Sequence, residues 1–149
     1  NGFLMILGLD VSTSITGICI LDDNNEIVFN DYIDTRKYKC FFEKVATAKA
    51  RLDQLAKEYD ISHVYIEQSL QSFRSGFSSA KTLSTLARFN GVISWLCYEM
   101  WSIKPEYIAA TSARKLCGIR IPRGTKAKEV VIKYLLDNEQ TFVVIYEAW

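Results

Sequence analysis

Apolar residues crowd the start of the chain into a near-continuous run over 3–9 that stops at Asp10. A run this short and this apolar predicts a strand buried on both faces. A second apolar stretch over 15–21 and an alternating one over 26–33 predict two more strands. Asp22, Asp23, Asn24 and Asn25 between them form a hairpin turn, because Asp and Asn bond their own backbone and tolerate turn geometry. Three successive strands on short turns make an antiparallel meander. The period then changes. Val45, Ala48, Leu52, Leu55 and Tyr59 recur at three- and four-residue steps, which predicts a helix over 43–59 with one face on a core.

A short apolar strand follows over 62–67 and, like the first, ends on an acid, Glu67. Residues 68–79 carry no period and form a loop. The longest helix is predicted over 79–101. Leu83, Leu86, Ile93, Cys97 and Met100 make its stripe, and Val92, Trp95, Leu96 and Trp101 widen it beyond one face. A helix apolar over so much of its surface is either central or shared with a second copy. Lys104-Pro105 breaks it, and a short strand is expected over 107–110. Thr111 or Ser112 caps a helix over 113–117, a loop holding Pro122 follows, and Thr125 caps a helix over 126–136. Residues 142–146 look strand-like. The order predicts one α/β domain over 1–149, with a mixed sheet of meander plus parallel strands flanked by helices.

Composition narrows this only slightly. With 7 Gly and 2 Pro in 149 residues, long disordered or collagen-like segments are excluded. No apolar stretch approaches the length of a membrane-spanning helix, so no membrane partner is expected. The cysteines at 19, 40, 97 and 117 form no CxxC pair, and 1 His is too few for a Cys/His zinc site. Small thiols in a reducing, cytoplasmic setting are the simpler expectation. Residues 1–4 read as a carry-over ahead of a native start at Met5.

A net charge of +1 argues, taken alone, against a polyanion-binding protein. Its distribution changes that picture. Arg114, Lys115, Arg120, Arg123, Lys126 and Lys128 fall in one stretch with no acid among them, so this segment is +6 and the remainder −5. Phosphate contact needs local charge, although a charge run is more often a solvated surface. Arg74, Lys81 and Arg88 near Phe73 and Phe77 form a second group that could hold phosphates and stack on bases, or anchor a loop. Lys37, Tyr38, Lys39, Phe41 and Phe42 make a weaker one.

The candidate chemistry sits at the strand ends. In α/β sheets, ligands gather at the carboxyl ends of parallel strands. If the first and fourth strands are neighbours, Asp10 and Glu67 converge there. Two carboxylates so close repel unless a cation or shared proton intervenes, and oxygen-only donors suit Mg²⁺ or Mn²⁺. Either acid alone would more simply mark a strand's exit into solvent. After Asp10, Ser12, Thr13, Ser14 and Thr16 allow a turn back close to the acid, and Gly17 permits close approach. His63 begins its strand, at the opposite end from Glu67, and reads as an edge residue.

These residues carry a resemblance. Ile6-Leu-Gly-Leu-Asp10-Val-Ser-Thr-Ser-Ile-Thr-Gly17 resembles the first motif of RuvC-like Holliday-junction resolvases, of the ribonuclease-H-like superfamily, and Val64-Tyr-Ile-Glu67-Gln68 their second acidic motif. The loop and helix from Arg74 through Leu86-Ala-Arg-Phe-Asn-Gly91, and the basic Gly124-Thr-Lys-Ala-Lys128-Glu129-Val130, resemble later segments in order. The net acidity outside the basic stretch is closer to a compact phage or viral member. The resemblance implies an endonuclease, dependent on divalent metal, that cuts branched DNA as a homodimer through the 79–101 helix. Asp10 and Glu67 would be catalytic metal ligands for two ions per site. Arg74, Lys81, Arg88, Arg120, Arg123, Lys126 and Lys128 would contact DNA.

One departure stands out. The family carries further acids in an Asp-rich pattern at the start of its last helix. Here the candidates are Asp137, Glu139 and Glu147, none in that form, which suggests that the terminal helix is missing and leaves the further ligand unknown. Two other readings follow from the same residues. One is a branched-nucleic-acid binding module that does not cut. The other is an ATP-binding fragment of a sugar kinase or actin-type ATPase, whose first phosphate motif the segment 7–28 also resembles, although those proteins are far longer.

Overall fold

The computed structural model describes residues 4–68 and 79–148. The chain divides into two compact units, Asn1–Tyr107 and Ile108–Trp149. The first holds strands β1 (Ile6–Asp10), β2 (Ile15–Leu21) and β3 (Ile27–Asp34), helix α1 (Phe41–Glu58), strand β4 (His63–Glu67) and helix α2 (Ala80–Trp101). Strand β5 (Glu106–Ile108) closes a mixed sheet of order β3-β2-β1-β4-β5. The first three strands are the expected meander, antiparallel throughout, and β4 lies parallel to β1 on its other edge.

Helix α2 starts where the pattern implied. Ser79 caps α2, its side chain accepting from the Thr82 N–H at 3.1 Å and satisfying an otherwise free donor of the first turn. The α2 end is tied to the α1 end by Trp101, whose indole N–H donates to the Tyr59 carbonyl at 3.2 Å.

One apolar cluster holds this unit together. It joins Leu7 and Leu9 of β1, Ile18 and Ile20 of β2, and Val64 and Ile66 of β4 to Ala48, Leu52 and Leu55 of α1 and Phe89, Ile93, Leu96 and Cys97 of α2. Phe89 is fully buried and meets Phe41 edge-on at 5.7 Å. Only alternate residues of β1 and β4 are buried. The continuous apolar run at the start is therefore not buried on both faces, as its composition predicted. Leu7 and Leu9 face the helices, whereas Ile6 and Gly8 lie half-covered on the other face. On that outer face of β3, Val28 and Tyr32 are exposed.

The second unit contains helices α3 (Ala110–Leu116), α4 (Ala127–Asn138) and α5 (Gln140–Ala148). Three local expectations differ here. The segment 142–146 lies within α5 and is not a strand, because its apolar residues also suit a helix and a short apolar run does not separate the two. Helix α3 begins at Ala110, ahead of both hydroxyl candidates, and has no side-chain cap. Thr125 does not cap α4. Its hydroxyl donates back to the Pro122 carbonyl within a turn in which Gly124 takes φ +83, and Lys126 occupies the cap position. No helix among the described residues is long and apolar enough to cross a membrane.

Candidate functional site

The parallel ladder decides where the two strand-end acids go. Its register runs Ile6 to His63, Leu7 to Val64, Gly8 to Tyr65 and Leu9 to Ile66. The next step sets Asp10 beside Glu67 at the carboxyl ends of adjacent strands, which lie about 4.8 Å apart in any sheet. Alternation puts both acids on the face opposite buried Leu9 and Ile66. Asp10 is exposed and Glu67 half-buried. Across the other edge of β1, Asp10 pairs with Gly17, and a Cβ added to Gly17 would lie 3.7 Å from the Asp10 Cβ. A glycine thus keeps the space beside Asp10 open.

The turn that follows Asp10 is tied down by hydrogen bonds from three directions. Buried Thr16 donates its hydroxyl to the Ser12 carbonyl at 3.0 Å and accepts from the Ser12 N–H at 3.3 Å. Buried Thr35, at the exit of β3, donates its hydroxyl to the Thr13 carbonyl at 2.7 Å, and its N–H to the Ser14 carbonyl at 2.9 Å. Lys44 reaches from the first turns of α1 to donate to the Thr13 carbonyl at 2.7 Å and the Thr35 carbonyl at 3.1 Å. A half-buried ammonium with backbone carbonyls as acceptors holds turn, strand end and helix in one arrangement.

Glu67 is held from the α2 side. Asn90, only 7% exposed, donates its amide to the Glu67 carbonyl at 3.5 Å. The Ser94 hydroxyl donates to the Asn90 carbonyl at 2.7 Å, and the Tyr107 hydroxyl donates to Ser94 at 2.8 Å. The apolar periodicity did not mark Lys44, Thr35 or Asn90 as site residues. The available signal was the pair of buried polar positions, Asn90 and Ser94, inside an otherwise apolar helix face, because buried polar groups need partners. Lys44 offered none, since a lysine near a helix start is ordinarily solvated.

Two carboxylates side by side at one end of the sheet form an oxygen-donor set of the kind that holds Mg²⁺ together with water and phosphate oxygens. These residues therefore fit such an ion. Among the described residues no group of three or more His, Cys, Asp or Glu side chains clusters into a fuller site. Asp137, Glu139 and Glu147 belong to the second unit. Asp137 pairs with Lys133 at 2.7 Å on the α4 surface. Glu139 stands at the α4–α5 joint, where its carbonyl accepts the Val143 N–H at 3.1 Å. It thus precedes the last helix as well as ending the one before.

The basic candidates separate into groups. Lys81 and Arg88 are exposed on the first half of α2. Arg74, with Phe73 and Phe77, lies outside the described residues. Arg120, Arg123, Lys126 and Lys128 are exposed in the second unit. Lys126 and Lys128 sit at the start of α4, the end where the helix dipole disfavours cations. Helix stability therefore does not explain them.

Solved structures share this architecture. Thermus thermophilus RuvC matches over 90% of this chain and 79% of its own, with TM-score 0.63 and 15% identity. The same organism's RuvC in complex with a Holliday junction substrate matches over 75% and 68%, with TM-score 0.61 and 11% identity. The yeast mitochondrial Holliday junction resolvase Ydc2 matches over 89% of this chain and 60% of its own, with TM-score 0.57 and 13% identity. No protein-family profile and no curated protein sequence matches the chain. The fold is RuvC-like, within the ribonuclease-H-like class.

Proposed function

From a RuvC-like fold with two acids at adjacent strand ends, we propose an endonuclease that resolves four-way or other branched DNA by hydrolysing phosphodiesters with divalent metal. The observation that carries this reading is the parallel pairing of β1 with β4, whose register runs to Leu9 beside Ile66 and leaves Asp10 and Glu67 as the last residues of neighbouring strands. Asp10 and Glu67 are the residues that would hold the ion. A divalent ion held there would supply an activated water and stabilise the leaving oxygen. The chain's own part is positional. The Thr16, Thr35 and Lys44 hydrogen bonds fix the turn after Asp10, and the Asn90 amide fixes the backbone at Glu67. Lys81, Arg88, Arg120, Arg123, Lys126 and Lys128 supply exposed positive charge for the DNA backbone.

A homodimer would place one such site on each of two strands of a near-symmetric junction. Trp95 and Tyr98 favour α2 as the surface between copies. Their rings meet tilted, with centroids 5.8 Å apart, yet they are 55% and 43% exposed. The non-cleaving module is the second reading, favoured by the absence of a third acid beside Asp10 and Glu67 among the described residues.

The test is cleavage of matched four-way, three-way, flap and plain duplex DNA with Mg²⁺, for the unmodified protein and for Asp10→Asn and Glu67→Gln. The proposal expects branched substrates to be cut and both variants to lose at least about a thousandfold in rate, with junction binding retained. Mg²⁺-dependent cleavage that survives Asp10→Asn removes Asp10 from the site. A preference for plain duplex overturns the resolvase reading, and binding without any cleavage establishes the second one.

A further inference from the structure

The end of α3 turns back on itself and forms a positively charged cleft. The Ile119 N–H donates to the Arg114 carbonyl at 2.9 Å and the Gly118 N–H to the Lys115 carbonyl at 3.1 Å. Gly118 between them takes φ +73. This paired closure needs a left-handed residue just beyond the helix, which glycine adopts without strain. The reversal carries Arg120 back towards the turn that holds Arg114 and Lys115. The result is an open cleft of about 500 Å³ lined by Arg114, Lys115 and Arg120 together with Thr111, Ile119 and Ile121.

Among the described residues no ion pair involves Arg114, Lys115 or Arg120. The sequence holds no acid between Glu106 and Glu129. Among the described residues the ion pairs run from Asp31, Asp34, Asp53 and Asp137 to other bases. Arg114 and Lys115 in the last turn of a helix do complement its dipole. That role requires neither a third cation beyond the helix nor a cleft walled by Ile119 and Ile121. Like charges gathered on one concave surface repel, and an anion seated among them reverses the sign of that interaction.

We propose that this cleft is a nucleotide subsite. One phosphodiester of a nucleic-acid strand sits on Arg114, Lys115 and Arg120, and its sugar or base lies against Ile119 and Ile121. This deepens the nuclease reading and rests on it for the identity of the polymer. It divides the +6 segment into a discrete subsite and a remainder, Arg123, Lys126 and Lys128, that acts as general surface charge.

The test has two arms, both on the full chain. In the first, 5′-phosphorylated dithymidine is titrated while the backbone amides of Gly118, Ile119 and Arg120 are followed by NMR. Saturable shifts that disappear in Arg114→Gln are expected; shifts that fail to saturate, or persist in the variant, overturn the subsite. In the second arm, junction affinity is measured against salt in an Asp10→Asn background. Residues that share one phosphate act as a unit. Arg114→Gln and Arg120→Gln alone should each weaken binding about tenfold, and the double variant hardly more, with the salt slope reduced by about one. Additive losses no larger than that of Arg123→Gln overturn it. A protein that cuts junctions but shows no response to the dinucleotide keeps the nuclease reading and loses the subsite. A saturable, Arg114-dependent response in a protein that cuts no branched DNA does the reverse.

Discussion

Lys44→Met asks whether the turn after Asp10 must be held for the site to work. Methionine keeps most of the apolar stem of lysine and removes the ammonium with its two bonds, at 2.7 Å to Thr13 and 3.1 Å to Thr35. Hydrogen bonds to charged groups contribute about 1.5–3 kcal/mol each, and the loss is largest where a buried partner is left orphaned. Neither carbonyl is orphaned here. Thr13 still accepts from the Thr35 hydroxyl at 2.7 Å, and Thr35 still accepts from the Tyr38 N–H at 3.1 Å. The Lys44 ammonium is also only half-buried in the unmodified protein, so water screens part of its interaction. The total cost is therefore set at about 1–2 kcal/mol, a drop in Tm of about 2–8 °C for a chain of this size. The loss of activity should exceed this. A carboxylate carried by a loosened turn is misplaced, and displacement of about 1 Å can cost about a hundredfold in rate. Urea unfolding gives the stability change, and single-turnover cleavage of a four-way junction at saturating Mg²⁺ gives the rate. The control is Lys49→Met, which removes an exposed pair with Asp53 at 3.1 Å and should cost about 0.3–0.5 kcal/mol. If Lys44→Met is as stable as Lys49→Met and cleaves at the unmodified rate, the turn needs no such latch.

The core and the thiols give further tests. Phe89→Ala should lose about 3–5 kcal/mol by urea unfolding, because Phe89 is fully buried against Phe41 at the centre of the cluster; a loss below about 1 kcal/mol would contradict that placement. Maleimide at pH 8 should label exposed Cys40 and Cys117 quickly and leave Cys97 untouched until the protein unfolds, since burial pushes the Cys97 thiol up to about 12. The same thiol makes stability depend on pH: its proton is held more tightly in the folded state, so the contribution is complete below about pH 9 and is lost as pH rises from there towards 12. Cys97→Val should flatten that alkaline decline, as measured by urea unfolding between pH 8 and pH 10.5.

How much of this was legible in the sequence depends on how locally each feature is encoded. The meander was legible because each turn and each alternation is a local signal, and the Asp22 carboxylate accepts from the Asn24 and Glu26 N–H groups to close the β2–β3 hairpin. The two acids were legible as strand ends, but their meeting needed the parallel partnership of β1 with β4, two strands separated by a hairpin and a helix. The partners of Lys44 and Asn90 were illegible for a related reason. Each residue acts on backbone atoms, the carbonyls of Thr13, Thr35 and Glu67, and a backbone acceptor leaves no mark in the side-chain pattern. The +6 segment was legible as charge and illegible as shape. Its organisation depends on Gly118, which the pattern placed only in a loop and whose left-handed φ sets the direction of Arg120. A net charge of +1 therefore conceals two opposite arrangements. Acids sit together where a cation would relieve them, and cations sit together where an anion would.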